Sequence, residues 1–174
     1  MKQRGLQILG LLALLCMASA LHAQLSSPVP STSPLVIGSG PGVHSPNSPI
    51  APLPQRSDVL AWSLLTDVKT RTEKNRVLPV FTMNQLALHQ KTQRVQGFMM
   101  PLGAGERQIH FLLSAVPLTC NFCTPGGPES MVEVRAKEPV RYTQEPVIVQ
   151  GRFLVLNDDP YGMYYRITDA VSVK

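Results

Sequence analysis

The residues best equipped for chemistry are two cysteines in the run Thr119-Cys120-Asn121-Phe122-Cys123-Thr124, followed by Pro125-Gly126-Gly127-Pro128. Two sulfurs at this spacing can turn toward a single metal ion, because a short loop brings both inward. The same spacing closes a disulfide or serves as a redox-active pair. A metal would need further ligands, four in all for structural zinc and fewer soft ones for Cu+. His110, His89, Met99, Met100 and Met131 are the available donors. His110 ranks first among them, because it falls on the polar face of the strand that leads into the loop. The expected metal ligands are therefore Cys120, Cys123 and His110, with Zn2+ or Cu+ as the ion. A plain disulfide and a thiol–disulfide exchange site stand as alternatives. A thioredoxin-like site would place the second cysteine in a helix of a βαβ unit. Here the proline and glycines after Cys123 break any helix.

Other reactive types have structural readings. Asp158-Asp159 precedes Pro160 and Gly162, a pattern for side-chain turn bonds. No Gly-x-Ser-x-Gly accompanies a usable His and Asp, so the expectation is a protein that is not an enzyme. Tyr142, Tyr161, Tyr164, Tyr165 and Phe153 read as core aromatics, with a stacking patch for an extended ligand as the alternative.

The elements that must position the cysteines read as strands. Residues 94–100, 108–114, 131–137, 147–156 and 163–171 carry apolar residues in alternation. Ile109, Phe111 and Leu113 oppose Gln108, His110 and Leu112. Val132, Val134 and Ala136 oppose Glu133, Arg135 and Lys137. Gly97 and Gly151 sit inside strands, where a small closed sheet needs sharp bends. The expected fold is mainly β, a five-stranded OB-like Greek-key barrel over residues 94–174. Residues 56–93 read as a helical extension. Ser57-Asp58 is its expected cap for a helix over 59–68, and Thr82 starts a second short helix. The charged run of residues 69–76 reads as a solvated helix end or loop.

Ahead of these lies a leader. Lys2 and Arg4 precede an apolar run too short to cross a bilayer, and small residues follow to Ala23. That order is a secretory signal peptide over residues 1–23. It makes the periplasm the expected location and argues against nucleic acid as a partner. Cys16 lacks the small residue expected just before a lipidated cysteine. Residues 24–55 are rich in Pro, Ser and Gly and read as a disordered tether. The net charge of the chain is +5, from 16 Lys+Arg against 11 Asp+Glu. No later segment is long and apolar enough to span a membrane.

The order Val95-Gln96-Gly97-Phe98-Met99-Met100-Pro101-Leu102, Phe111-Leu112-Leu113, Cys120-x-x-Cys123 with its Pro-Gly-Gly-Pro, Val149-Gln150-Gly151 and Tyr164-Tyr165-Arg166 resembles an uncharacterised bacterial family. That family is known only as a domain of unknown function, and the resemblance runs from Trp62 to Val171. It implies a small exported β-barrel. It also implies genes beside ABC transporter components of the lipoprotein-release and macrolide-exporter type, with links to zinc regulation. Other members carry a single cysteine followed by His in the same loop, a second arrangement with affinity for soft or borderline metals. The resulting expectation is a periplasmic metal-binding accessory of an envelope ABC transporter, acting in zinc or copper handling. The alternatives are a non-catalytic binding module with a Cys120–Cys123 disulfide and a thiol–disulfide oxidoreductase.

Overall fold

The computed structural model describes residues 40–174. The expected leader and residues 24–39 of the expected tether lie outside the described residues. Nine regular elements follow: α1 (Trp62–Thr66), β1 (Lys69–Glu73), β2 (Arg76–Val80), α2 (Met83–Leu86), β3 (Thr92–Pro101), β4 (Arg107–Ser114), β5 (Met131–Arg141), β6 (Val147–Val155) and β7 (Tyr165–Val173). A 3-10 turn, Pro128–Ser130, leads into β5.

The five long strands close a barrel in the order β3-β4-β5-β7-β6. Every pairing is antiparallel except β5 with β7, which is parallel. This is the Greek-key order of an OB barrel. The alternation builds it as expected. Phe111, Leu113, Val132, Val134, Val149, Phe153 and Ile167 are fully buried inside.

The two in-strand glycines stand where closure demands them. β3 pairs with β6 up to Gly97 and with β4 from Phe98 onward. A Cβ at Gly97 would lie 2.9 Å from the Ser114 carbonyl oxygen, so only glycine lets the strand pass from one partner to the other. A Cβ at Gly151 would meet the Thr168 carbonyl oxygen at 2.6 Å, at the register shift between β6 and β7.

Three details depart from expectation. Alternation on β4 breaks between Gln108 and His110. There Ile109 alone faces residues 136–139 of β5, which carries the extra residues; Ile109 lies 58% exposed, while Gln108 turns inside at 2%. Buried there, Gln108 donates from Nε2 to the Gly105 carbonyl at 2.6 Å and accepts from the Gly103 amide at 3.3 Å. Next, residues 69–80 form a hairpin rather than a helix end. Lys74 and Asn75 have φ of 47° and 63°, the two-residue turn whose twist suits paired strands. Finally, the first helix is limited to Trp62–Thr66, and Asp58 does not cap it. Asp58 instead accepts from Arg56 at 2.8 and 2.9 Å and from Arg94 at 3.2 Å.

The short α1 nevertheless seals the barrel. Leu65 is fully buried, the Trp62 indole donates to the Gln96 carbonyl at 2.8 Å, and the Tyr165 hydroxyl donates to the Leu65 carbonyl at 2.7 Å. Thr82 does start α2, through a reciprocal capping box with Gln85. The fully buried Gln85 also donates to the Leu64 and Asp67 carbonyls, at 2.7 and 3.1 Å. It thereby satisfies the carbonyls left open at the end of α1.

Candidate functional site

Cys120 and Cys123 lie in the long connection between β4 and β5, residues 115–130. Two tight turns shape it there, with the Cys120 amide donating to Pro117 at 3.2 Å and the Cys123 amide to Cys120 at 3.1 Å. These turns bring the two Cα atoms to 5.3 Å, and the sulfurs are joined as a disulfide. Cys120 is buried at 8% exposure, whereas the intervening Phe122 is 63% exposed.

A strap of residues 40–50 lies on this loop. Val43 and Thr124 exchange backbone bonds of 2.8 and 2.9 Å as an antiparallel bridge. The Gly127 amide donates to the Gly40 carbonyl at 2.9 Å, and the Gly40 amide donates to Glu129 Oε1 at 2.5 Å. Cys120 Sγ lies 3.2 Å from Ser48 Oγ. His44 turns back on its own segment, its Nε2 2.9 Å from the Ile50 carbonyl oxygen. Residues 40–50 were expected within the tether on composition. They are held instead by backbone bonds that Ser, Pro and Gly can make without any apolar side chain.

Three of the other donors proposed for a metal, His110, His89 and Met99, are engaged elsewhere. His110 stands on the outer face of β4 with its Nε2 2.8 Å from Glu133 Oε1. His89 Nδ1 accepts from the Val155 amide at 3.1 Å and fixes the approach of β6. Met99 is packed in the core at 6% exposure. Among the described residues, no group of three His, Cys, Asp or Glu gathers in a metal-binding arrangement.

Around His110 the structure assembles a second constellation, which pattern reasoning missed. Glu133 projects from the outer face of β5, yet its side chain is only 7% exposed. It accepts from Arg166 Nε at 2.5 Å and from Arg135 Nε at 3.1 Å, as well as meeting His110. Arg166 extends its Nη2 to Asp159 Oδ2 at 2.8 Å. Asp159 also accepts the Tyr161 and Met163 amides at 3.0 and 3.3 Å, the turn bonds expected of it. Burial pushes both carboxyls up, but the bonds from Arg166, and from His110 and Arg135 on Glu133, outweigh it and hold both below the ordinary carboxylate range. For Arg166 burial acts downward, and the two carboxylates overcome it and raise the guanidinium. Arg76 of β2 pairs with Asp158 next door, so the hairpin is tied to the same loop. The signal available in the sequence was the lone acid, Glu133, on a β face that otherwise carries Arg135 and Lys137.

Over this ion cluster runs a groove of about 370 Å³. Its walls are Leu102, His110, Leu112, Arg135, Tyr161 and Met163, with Glu133 as part of the floor. These side chains come from β4, β5 and the two connections that follow β3 and β6. In OB barrels this face and these two connections are a common place for ligands. Tyr161 is 85% exposed at the groove's edge. Four other aromatics pack inward: Phe153 and Phe81 lie against Tyr165 with ring centres 5.5 and 5.6 Å apart, and Phe81 meets Tyr164 edge-on at 6.2 Å. No helix among the described residues is long and apolar enough to cross a membrane.

No protein-family model and no curated protein matches the chain. Among solved structures, it is similar to a DUF3299 family protein from Pseudomonas aeruginosa PAO1, at 18% identity and a TM-score of 0.40, over 76% of this chain and 91% of that one.

Proposed function

We propose that this chain is a non-catalytic binding module of an oxidising, extracytoplasmic compartment, in which the Cys120–Cys123 disulfide is a structural staple. The observation that carries this reading is the bond between the two sulfurs within a loop that is itself strapped by residues 40–50. Such bonds persist where the surroundings are oxidising, as the leader-like start of the chain leads one to expect. A partner protein in the same compartment, such as an envelope transporter subunit, is the object to be bound.

Chain entropy sets the scale of the staple. A link between residues three apart closes a very short loop and stabilises by about 2 kcal/mol. That is well short of the roughly 5–15 kcal/mol that holds a domain together. Losing the bond therefore loosens the loop and its strap and leaves the barrel standing.

Thiol counting, peptide mapping and metal analysis on protein taken from the cell envelope test the reading. The expected result is a linked Cys120–Cys123 peptide, no free thiol there and sub-stoichiometric zinc and copper. Two free thiols with one Zn2+ or Cu+ bound per chain would replace it with metal handling. Reduction of a disulfide substrate that depends on both cysteines would replace it with an oxidoreductase.

A further inference from the structure

The groove over the Glu133 cluster is specialised in charge. Its two carboxylates are buried, with the Glu133 and Asp159 side chains 7% and 5% exposed, and both are bonded to Arg166. Its guanidinium stands in the open, with the Arg135 side chain 54% exposed, and the His110 imidazole beside it is 49% exposed. An arriving ligand thus meets an uncovered guanidinium and imidazole and no uncovered carboxylate on the groove walls. Beside them lie apolar surfaces, Leu102 at 45% exposure and Tyr161 at 85%, with Leu112 and Met163 deeper.

We propose that this groove binds the free C-terminal end of a partner polypeptide, taking its carboxylate on the Arg135 guanidinium and its last apolar side chain between Leu102, Leu112, Met163 and Tyr161. The assignment supplies the binding module with its site and so rests on that reading. Charge complementarity selects a carboxylate, because a planar guanidinium grips one with paired hydrogen bonds. The size selects a chain end. About 370 Å³ is at the small limit of ligand sites and holds one apolar side chain with its carboxylate rather than a strand running along the sheet. The bulge selects a peptide over a fatty acid. The β4–β5 ladder breaks next to His110, where Ile109 faces residues 136–139 of β5 outside the paired register, and a peptide backbone can hydrogen-bond at such a break whereas an acyl chain cannot.

The test uses the full disulfide-bonded chain labelled at its methionine methyls, with Met163 as the reporter. The probe is an N-acetylated tetrapeptide ending in Leu-Phe, supplied as the free acid and as the C-terminal amide. The acid should shift Met163 saturably, and the amide should bind roughly ten- to a hundred-fold more weakly, the loss expected for one charge-assisted contact. Arg135→Gln should weaken the acid by a similar factor and leave the amide unchanged. Tyr161→Ala, at a position too exposed to matter for folding, should weaken both. Equal binding of acid and amide, or no shift of Met163 with either, overturns the proposal. Tighter binding of decanoate than of the peptide acid overturns it in favour of a lipid ligand. Thiols are counted on the same sample, so a failed titration with the disulfide intact strikes the groove assignment and not the staple.

Discussion

Replacing Glu133 with Gln removes a charge and almost nothing else, and it measures what the buried cluster contributes. The variant keeps one carbonyl oxygen and turns an NH2 donor toward the remaining partners, so Arg166, Arg135 and His110 all lose their anionic partner. The contacts of Glu133 with Arg135 and His110 involve partners about half exposed, with side-chain exposures of 54% and 49%. Such contacts are worth ~0–1 kcal/mol each. The Arg166 contact is different, because both side chains are largely hidden, at 13% and 7% exposure. A hydrogen bond between charged groups in that setting contributes about 1.5–3 kcal/mol. Asp159 still holds Arg166 in the variant, which keeps the loss below the roughly 3–5 kcal/mol of a fully orphaned buried ion. The expected destabilisation at neutral pH is therefore about 2–4 kcal/mol, which lowers the urea midpoint by on the order of 1–2 M. Trp62, the single tryptophan, reports unfolding because its indole is anchored to the Gln96 carbonyl. The difference must also depend on pH. The folded protein holds the Glu133 carboxyl below its ordinary 4.5, so the unfolded chain binds more protons as acid is added. The stabilisation is complete above that ordinary value and is lost as pH falls through the lower folded value, where the wild type is itself protonated. Glu133→Gln should thus be much the less stable at pH 7 and converge on the wild type at strongly acid pH. A loss under about 0.5 kcal/mol at neutral pH, the scatter of ordinary surface changes, would refute the reasoning. So would a loss that does not shrink with acid.

Three further substitutions probe the frame. Gly151→Ala puts a Cβ against the Thr168 backbone oxygen and should cost about 1–3 kcal/mol by urea unfolding, with the barrel retained in the circular dichroism spectrum. Gln85→Leu leaves the Leu64 and Asp67 carbonyls without their donor; it should cost about 1–3 kcal/mol and speed hydrogen exchange in α1 ahead of the barrel strands. Lys74→Gly relieves a left-handed turn position, where φ is 47°, and should slow hydrogen exchange in the β1–β2 hairpin by the equivalent of about 1 kcal/mol.

The barrel was legible because its information is periodic. Phe111 and Leu113 on β4, Val132 and Val134 on β5, and Val149, Phe153 and Val155 on β6 sit at every-second positions and are buried, and Gly97 and Gly151 mark the two places where the sheet is forced to bend. The hairpin of residues 69–80 was hidden for the opposite reason. All five residues of β1 are exposed, so no apolar alternation exists to be read, and its turn uses Lys74 and Asn75 rather than a glycine. The strap of residues 40–50 is held by backbone bonds, which composition does not encode. The Ile109 bulge reverses the face assignment at one end of β4. The cue was the buried amide of Gln108, which ties down the loop containing Gly103 and Gly105. At the candidate site, Cys120 and Cys123 were legible as a pair, because only local spacing is needed to bring them together. The partner His110 has in the structure, Glu133, is not legible in the same way, because it is 23 positions away on the next strand. Cross-strand register decides that contact, and the bulge sets the register.

The staple and the ion cluster act on the same two strands. β4 and β5 carry the groove's side chains, and the connection between them is shortened by the Cys120–Cys123 bond and held down by residues 40–50. On the outer face Glu133 joins β5 to β7 through Arg166, and Arg166 carries the restraint on to Asp159 and the loop that presents Tyr161 and Met163. Arg76 and Asp158 extend it to the hairpin. A groove whose walls come from two loops and two strands would lose side-chain and loop entropy on filling, at about 0.5–1.5 kcal/mol for each side chain immobilised. Crosslinks that fix those walls beforehand reduce that loss. The disulfide therefore has a physical part in binding without touching a ligand: it fixes one end of the strand pair whose other restraint is the buried carboxylate. On this account, reduction should weaken a groove ligand modestly through its off-rate, whereas Glu133→Gln should weaken it more, because it cuts the tie between β5 and the Arg166–Asp159 pair that anchors the loop bearing two of the groove's walls.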